Sequence, residues 1–233
     1  MRIRISITFL FLLMLNASAQ DSNTDLPACR YDDLPAQNQR YEDWQITILD
    51  SIYMLDSNYA PTDLVSLSEI GIDTNIKLRS IVLDELVKLL NAANAAGNPL
   101  EIQSAYRSYD YQKSTFQYWV NQVGKQEALL TSARAGHSEH QLGTTVDFKS
   151  FGDKPAWDYA DWAETNAGAW LKEHAYQFGF VMSYPKNKSA QTCYSYEPWH
   201  YRFLGVDYAT AVHNSGLTPR EWLWSLQDYL KKD

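Results

Sequence analysis

Apolar positions recur at helical spacing in one long stretch of the chain. Leu78, Val82, Leu86, Leu89 and Ala93 fall three or four residues apart, which places them on one face of a helix. This pattern predicts a helix from about Asn75 to Ala96, ended by Gly97 and Pro99. Leu100 to Ala105 then reads as a strand, Tyr109 to Val123 as an aromatic-rich helix and Gln126 to Arg134 as a shorter one. Thr144 to Phe148, Phe180 to Ser183 and Trp199 to Phe203 have strand length and composition. Gly168 to Phe178 reads as another helix. Thr218-Pro219-Arg220-Glu221 supplies an N-cap, a proline at the first helical position and a glutamate at the third. The helix it opens carries Trp222, Leu223, Leu226 and Leu230.

Upstream the pattern fades. Residues 20–45 are polar and rich in Asp, Asn, Gln and Pro, and read as an extended arm. Thr62 to Leu67 and Ile70 to Ile72 read as short irregular pieces. Helices and strands mix without regular βαβ alternation, which points to an α+β fold: a small, largely antiparallel sheet flanked by helices. We expect a single domain over residues 75–233, preceded by an arm and irregular segment over residues 20–74.

Composition adds an address. Arg2 and Arg4 precede an apolar run from Ile5 to Leu15, and Ala17-Ser18-Ala19 fits a small-residue cleavage site. Residues 1–19 therefore read as a signal peptide, with the mature chain starting near Gln20. An uncleaved anchor is the alternative, though the run is short for a membrane span. No cysteine directly follows the run, which argues against a lipid anchor there. No later segment is apolar enough to cross a membrane, so the chain reads as exported, either periplasmic or extracellular. Losing a leader with two arginines and no acid takes the formal charge from −8 to −10. Such an acidic protein is poorly suited to nucleic acid, whose phosphates it would repel. Export also bears on the two cysteines. Cys29 and Cys193 can pair in an oxidising compartment, tying the arm to the segment just before Glu197. Separate thiols remain equally open, because sequence supplies no distance.

Two stretches carry candidate chemistry: Ser138-Glu139-His140-Gln141-Leu142-Gly143-Thr144-Thr145-Val146-Asp147, and Glu197-Pro198-Trp199-His200. Among their residues are two histidines, His140 and His200, an aspartate, Asp147, and a glutamate, Glu197, that could do zinc chemistry. Three ligands plus one base would make a catalytic zinc site, which keeps a coordination position open for water. On one unbroken strand His140 and Asp147, seven apart, would face opposite ways. Gly143 lies between them and can bend the chain so that both face one pocket. Pro198 pushes Glu197 toward an extended conformation and out of a central ladder, so Glu197 belongs on a loop entering the strand that bears His200. A carboxylate in that position can take a proton from water as general base. The helical His-Glu-x-x-His signature is absent, so a surface acid and two structural histidines stay open on spacing alone. His174, inside a predicted helix, reads as structural, His213 as surface, and His137 as an outer residue behind the ligands. Tyr106, Tyr109, Tyr111, Phe116, Tyr118 and Trp119 read as core and pocket wall rather than as a base-stacking platform.

These residues resemble the VanY-like D-alanyl-D-alanine carboxypeptidases, zinc peptidases that trim peptidoglycan stem peptides. The shared pattern is Ser-x-His-x-x-Gly-x-x-x-Asp, here Ser138, His140, Gly143 and Asp147, followed by Glu-x-Trp-His, here Glu197, Trp199 and His200. Tyr106-Arg107-Ser108 with Gln112 precedes both, and Gly179-Phe180 with Ser183-Tyr184-Pro185 lies between them. The likeness covers roughly residues 75–210. Ala135 departs from it, where relatives often carry proline. The resemblance implies one zinc ion held by His140, Asp147 and His200, with Glu197 as general base. It further implies that Arg107 stabilises the oxyanion and that Gln112 and Ser138 hold the terminal carboxylate of a peptidoglycan stem peptide. It does not separate a D,D-carboxypeptidase from an L,D-carboxypeptidase or an endopeptidase. A non-catalytic wall-binding module would have no need of Glu197 beside three intact ligands.

Overall fold

The computed structural model describes residues 26–31, 43–72 and 74–230. The expected signal peptide and most of the expected arm lie outside the described residues. The elements in chain order are β1 (Leu64–Ser66), β2 (Lys77–Arg79), α1 (Ser80–Ala95), β3 (Leu100–Ser104), α2 (Tyr109–Val123), α3 (Lys125–Thr131) and β4 (Thr145–Ser150). They continue with α4 (Asn166–His174), β5 (Phe180–Met182), α5 (Ser189–Thr192), β6 (His200–Phe203), α6 (Val206–Ser215) and α7 (Pro219–Leu230). Among the described residues no helix is long and apolar enough to cross a membrane.

Four strands form one sheet in the order β3-β4-β6-β5, every pair antiparallel. This is the small antiparallel sheet with flanking helices that the mixed pattern predicted. Side chains alternate across its faces. Val146, Phe148, Tyr201 and Phe203 point into the main core with Val82, Leu86, Leu89 and Ala93 of α1. Phe148 packs edge-on against Phe180 at 6.1 Å and against Tyr201 at 5.9 Å. Full burial of each large side chain contributes about 1.5–3 kcal/mol. The intervening residues, Asp147, His200 and Arg202, are thereby turned to the other face.

Three local readings need correction. The helix expected from Asn75 begins at Ser80, because Lys77–Arg79 pairs with Leu64–Ser66 as a two-stranded ribbon, Val65 opposite Leu78. Leu78 still reaches the core, but from a strand with Lys77 and Arg79 alternating beside it. The Thr62 to Leu67 segment is therefore not irregular. The helix expected over Gly168 to Phe178 starts at Asn166, where the Thr165 side chain accepts from the Gly168 amide, and its end tightens into a 3-10 turn at Ala175–Phe178. Helix α6 was not anticipated.

The segment from residue 43 packs into the body. Trp44 stacks on Phe203 at 5.7 Å, and Ile48, Leu49, Ile52 and Leu55 are buried. Arg220 of α7 reaches across to donate to the Asp50 carboxylate at 2.5 Å and to the carbonyls of Gln191 and Pro27 at 2.9 Å each. Cys29 and Cys193 form a disulfide with Cα atoms 5.3 Å apart, which settles their pairing.

Candidate metal centre and cleft

The sheet places two of the predicted ligands by register. Asp147 in β4 lies directly opposite His200 in β6, on the face away from the core. On its other side Asp147 pairs with Ser104 of β3, where the ladder shifts register. His140 comes from a 3-10 turn, Glu139–Leu142, that ends at Gly143. Gly143 has φ +71°, and a Cβ there would sit 3.0 Å from both Arg79 and Leu64. A side chain would be strained and crowded at this point, so glycine makes the bend that turns His140 and Asp147 toward one another.

Hydrogen bonds set the rings. His140 Nδ1 lies 2.6 Å from the Ala105 carbonyl. A carbonyl only accepts, so Nδ1 carries the hydrogen and Nε2 keeps its lone pair. That Nε2 is 3.2 Å from Asp147 Oδ2, and among the described residues neither it nor Asp147 Oδ1 has a hydrogen-bond partner. His200 Nδ1 lies 3.2 Å from Asp147 Oδ1 and 3.5 Å from Glu197 Oε2. One donor atom from each of His140, Asp147 and His200 falls within 4.8 Å of the others, all three residues being buried. The 3.2 Å separations match the roughly 3.3 Å edge of a tetrahedron whose zinc–ligand bonds are about 2.0–2.1 Å. Buried donors that converge in this way, two of them without a hydrogen-bond partner among the described residues, fit a divalent cation.

The electrostatics differ between the groups. Burial, helped by Arg107, holds His140 down at about 4, so the ring is neutral and its lone pair is free. Burial opposes a charged His200, yet hydrogen bonds to Asp147 and Glu139 outweigh it and raise its pKa to about 10, so a cation held at Nδ1 would displace a proton from that atom. Burial likewise opposes ionisation of Asp147, but His140 and His200 keep its carboxyl well below the usual range. Glu197 is pushed up to about 7, chiefly by burial, with Asp147 adding to the rise and His200 and Arg107 opposing it. A carboxylate near neutrality is suited to passing protons.

Glu197 sits on the loop before β6, as Pro198 demanded. Its amide donates to the Tyr184 carbonyl at 3.1 Å, and its carbonyl accepts from the His200 amide at 3.2 Å. A cleft of about 670 Å³ opens above the donors, lined by Arg107, Gln112, Ser138, Asp147, Glu197 and His200. Tyr106, Trp119, Trp157 and Trp199 form part of its wall. Arg107 Nη2 is 4.0 Å from Asp147 Oδ2. Gln112, almost fully buried, donates through Nε2 to the Ala133 carbonyl at 2.6 Å, and its Oε1 has no partner. The fold thus brings six of the seven predicted residues to one cleft, with fully buried His140 beneath it.

The other histidines stand apart. His137 does not back the ligands: its Nδ1 lies 2.7 Å from the Asp50 carbonyl. His174 Nδ1 meets the Trp170 carbonyl at 2.8 Å, and exposed His213 stacks on Tyr176 at 3.7 Å. The sequence reading missed Glu139 and Arg202. Glu139 Oε2 lies 3.0 Å from His200 Nε2, and Oε1 accepts from Arg202 Nη1 at 3.1 Å. The signal was present in part, since His200 and Arg202 are two apart on a strand and share a face.

Residues 75–206 match the family described as VanY, D-alanyl-D-alanine carboxypeptidase. YodJ of Bacillus subtilis strain 168 is 36% identical over 181 residues, 76% of this chain and 66% of YodJ. Among solved structures, the LdcB LD-carboxypeptidase superposes with a TM-score of 0.69 at 32% identity, covering 83% of this chain and 92% of LdcB. The vancomycin-resistance D,D-pentapeptidase VanY, solved in complex with Zn(II), superposes at 0.67 with 28% identity, covering 78% of this chain and 99% of that one. The chain spans 59–66% of the length of YodJ and of two enterococcal D-alanyl-D-alanine carboxypeptidases it also matches. A match that runs through all three motifs, which the fold then gathers around one buried donor cluster, means that this chain belongs to the VanY D-alanyl-D-alanine carboxypeptidase family.

Proposed function

We propose that this chain is an exported zinc-dependent carboxypeptidase that removes the terminal D-alanine from peptidoglycan stem peptides. The convergence of His140 Nε2, Asp147 and His200 Nδ1 at the floor of a cleft, with Glu197 3.5 Å from His200, carries the reading. Zinc, held by His140, Asp147 and His200, would supply a Lewis acid and a water that ionises near neutral pH. Glu197 takes a proton from the attacking water and delivers it to the departing amine. Arg107 offers a fixed fork of donors to the negative charge that develops on the scissile carbonyl oxygen. One such donor contributes roughly 3–4 kcal/mol to the transition state. The Ser138 hydroxyl and the second amide hydrogen of Gln112 hold the substrate's terminal carboxylate. The unpartnered Gln112 Oε1 is left to accept from a substrate N–H.

The similarity to LdcB favours a second reading of the same site, in which a tetrapeptide stem is cut as an L,D-carboxypeptidase. Incubation with defined pentapeptide and tetrapeptide stems, followed by mass spectrometry, separates the two. We expect loss of one alanine from the pentapeptide, arrest by chelator and recovery on adding zinc. Cleavage of the tetrapeptide alone would move the reading to L,D specificity. Turnover in chelator, with no metal found by elemental analysis, would overturn the zinc assignment.

A further inference from the structure

We propose that Glu139 is a positioning residue: held by Arg202, its carboxylate fixes the His200 imidazole with Nδ1 toward the donor cluster and so sets how tightly the site holds zinc. The inference rests on the zinc reading above, and it concerns the far side of His200 from the cleft. An imidazole has two nitrogens, and a hydrogen bond to one decides what the other can do. His200 Nε2 lies 3.0 Å from Glu139 Oε2, while Nδ1 lies 3.2 Å from Asp147 Oδ1. A carboxylate accepts, so Nε2 carries the hydrogen and Nδ1 is left to face the cluster.

Glu139 is itself held from two further directions. Ser183 Oγ donates to Oε2 at 2.5 Å, and Arg202 Nη1 donates to Oε1 at 3.1 Å. Glu139 is 5% exposed and Arg202 is fully buried, so water cannot substitute for either partner. Arg202 Nη2 donates in turn to the carbonyls of Trp44 at 2.8 Å and Thr47 at 2.7 Å. A line of contacts therefore runs from backbone 44–47 through Arg202 and Glu139 to His200. Its first members lie upstream of the residues that match the family. Outer carboxylates of this kind fix ring orientation and raise ligand basicity, and their loss costs roughly 10–100-fold in metal affinity.

The test is zinc affinity, measured by competition with a chelator, in the wild type and in Glu139→Gln. We expect a loss of roughly 10–100-fold with unchanged far-ultraviolet circular dichroism, together with an altered absorption spectrum of the cobalt(II)-substituted protein. A purely structural role would leave that spectrum alone. Glu139→Gln leaves the Arg202 charge uncompensated, so the double variant E139M/R202M, which removes both charges at similar volume, decides the matter if the single one fails to fold. A folded variant that holds zinc within twofold of wild type, with an unchanged cobalt spectrum, overturns the proposal. A wild type that holds no zinc overturns this inference and the zinc reading together. Weakened zinc binding in the variants supports it even if no stem peptide is cleaved.

Discussion

At the scale of single residues, the site depends on which atoms are left without a partner. Ala105 takes one nitrogen of His140, and the other faces Asp147 and the donor cluster. Glu197 differs, since it lies beside the donors without being needed to complete them. Glu197→Gln should therefore keep zinc, by elemental analysis, while kcat falls by about 10²–10⁴; near-normal turnover would remove Glu197 as the base. His137 carries a stability prediction. Burial and the nearby Arg134 hold its pKa at about 4 rather than 6.5. Between those values the unfolded chain binds the proton and the folded one does not, so stability rises with pH. The contribution is fully present above pH 6.5 and fades as the pH falls toward 4, by about 3 kcal/mol in total. Denaturant titrations across that range should show a shallower slope for His137→Gln. Type and spacing made His140, Asp147, Glu197 and His200 candidates, and the resemblance to the family gave them their expected roles. Glu139 was not among them, because a carboxylate in a polar run looks solvated until the buried Arg202 of β6 is placed beside it.

At the scale of elements, strand register fixes the site and α1 supports it from behind. Val146 and Phe148 flank Asp147 and point into the α1 face, so packing on one side of β4 holds the donor on the other. Leu86→Ala removes a fully buried side chain and should cost about 2–5 kcal/mol by thermal or denaturant unfolding. Gly143→Ala forces a side chain into a left-handed conformation against Arg79 and Leu64. It should cost about 1–3 kcal/mol and weaken zinc binding as well, because the bend carries His140. The long helix α1 was legible from periodicity. The ribbon of β1 and β2 was not, because three-residue strands are too short to show a period and Leu78 also fits the helical stripe that follows.

At the scale of the whole molecule, the family match covers residues 75–206, but the folded body is larger. Residues 26–31 and 43–55 are bound to it by the disulfide, by Arg220 and by Arg202. The polar composition of the first part hid this, since main-chain carbonyls accept from arginine whatever side chains they carry. The bridge joins positions 164 apart. Replacing both cysteines by alanine should lower stability by about 2–5 kcal/mol, measured by unfolding with and without reductant. Cys193 has a further bearing, because only three residues separate it from Glu197. A thiol pair that closes only under oxidising conditions makes the anchoring of the segment before Glu197 a matter of maturation. In a reducing environment the pair would stay open, and the backbone just before Glu197 would lose this tether. Oxidation would then secure the N-terminal segment and the approach to Glu197 in one step.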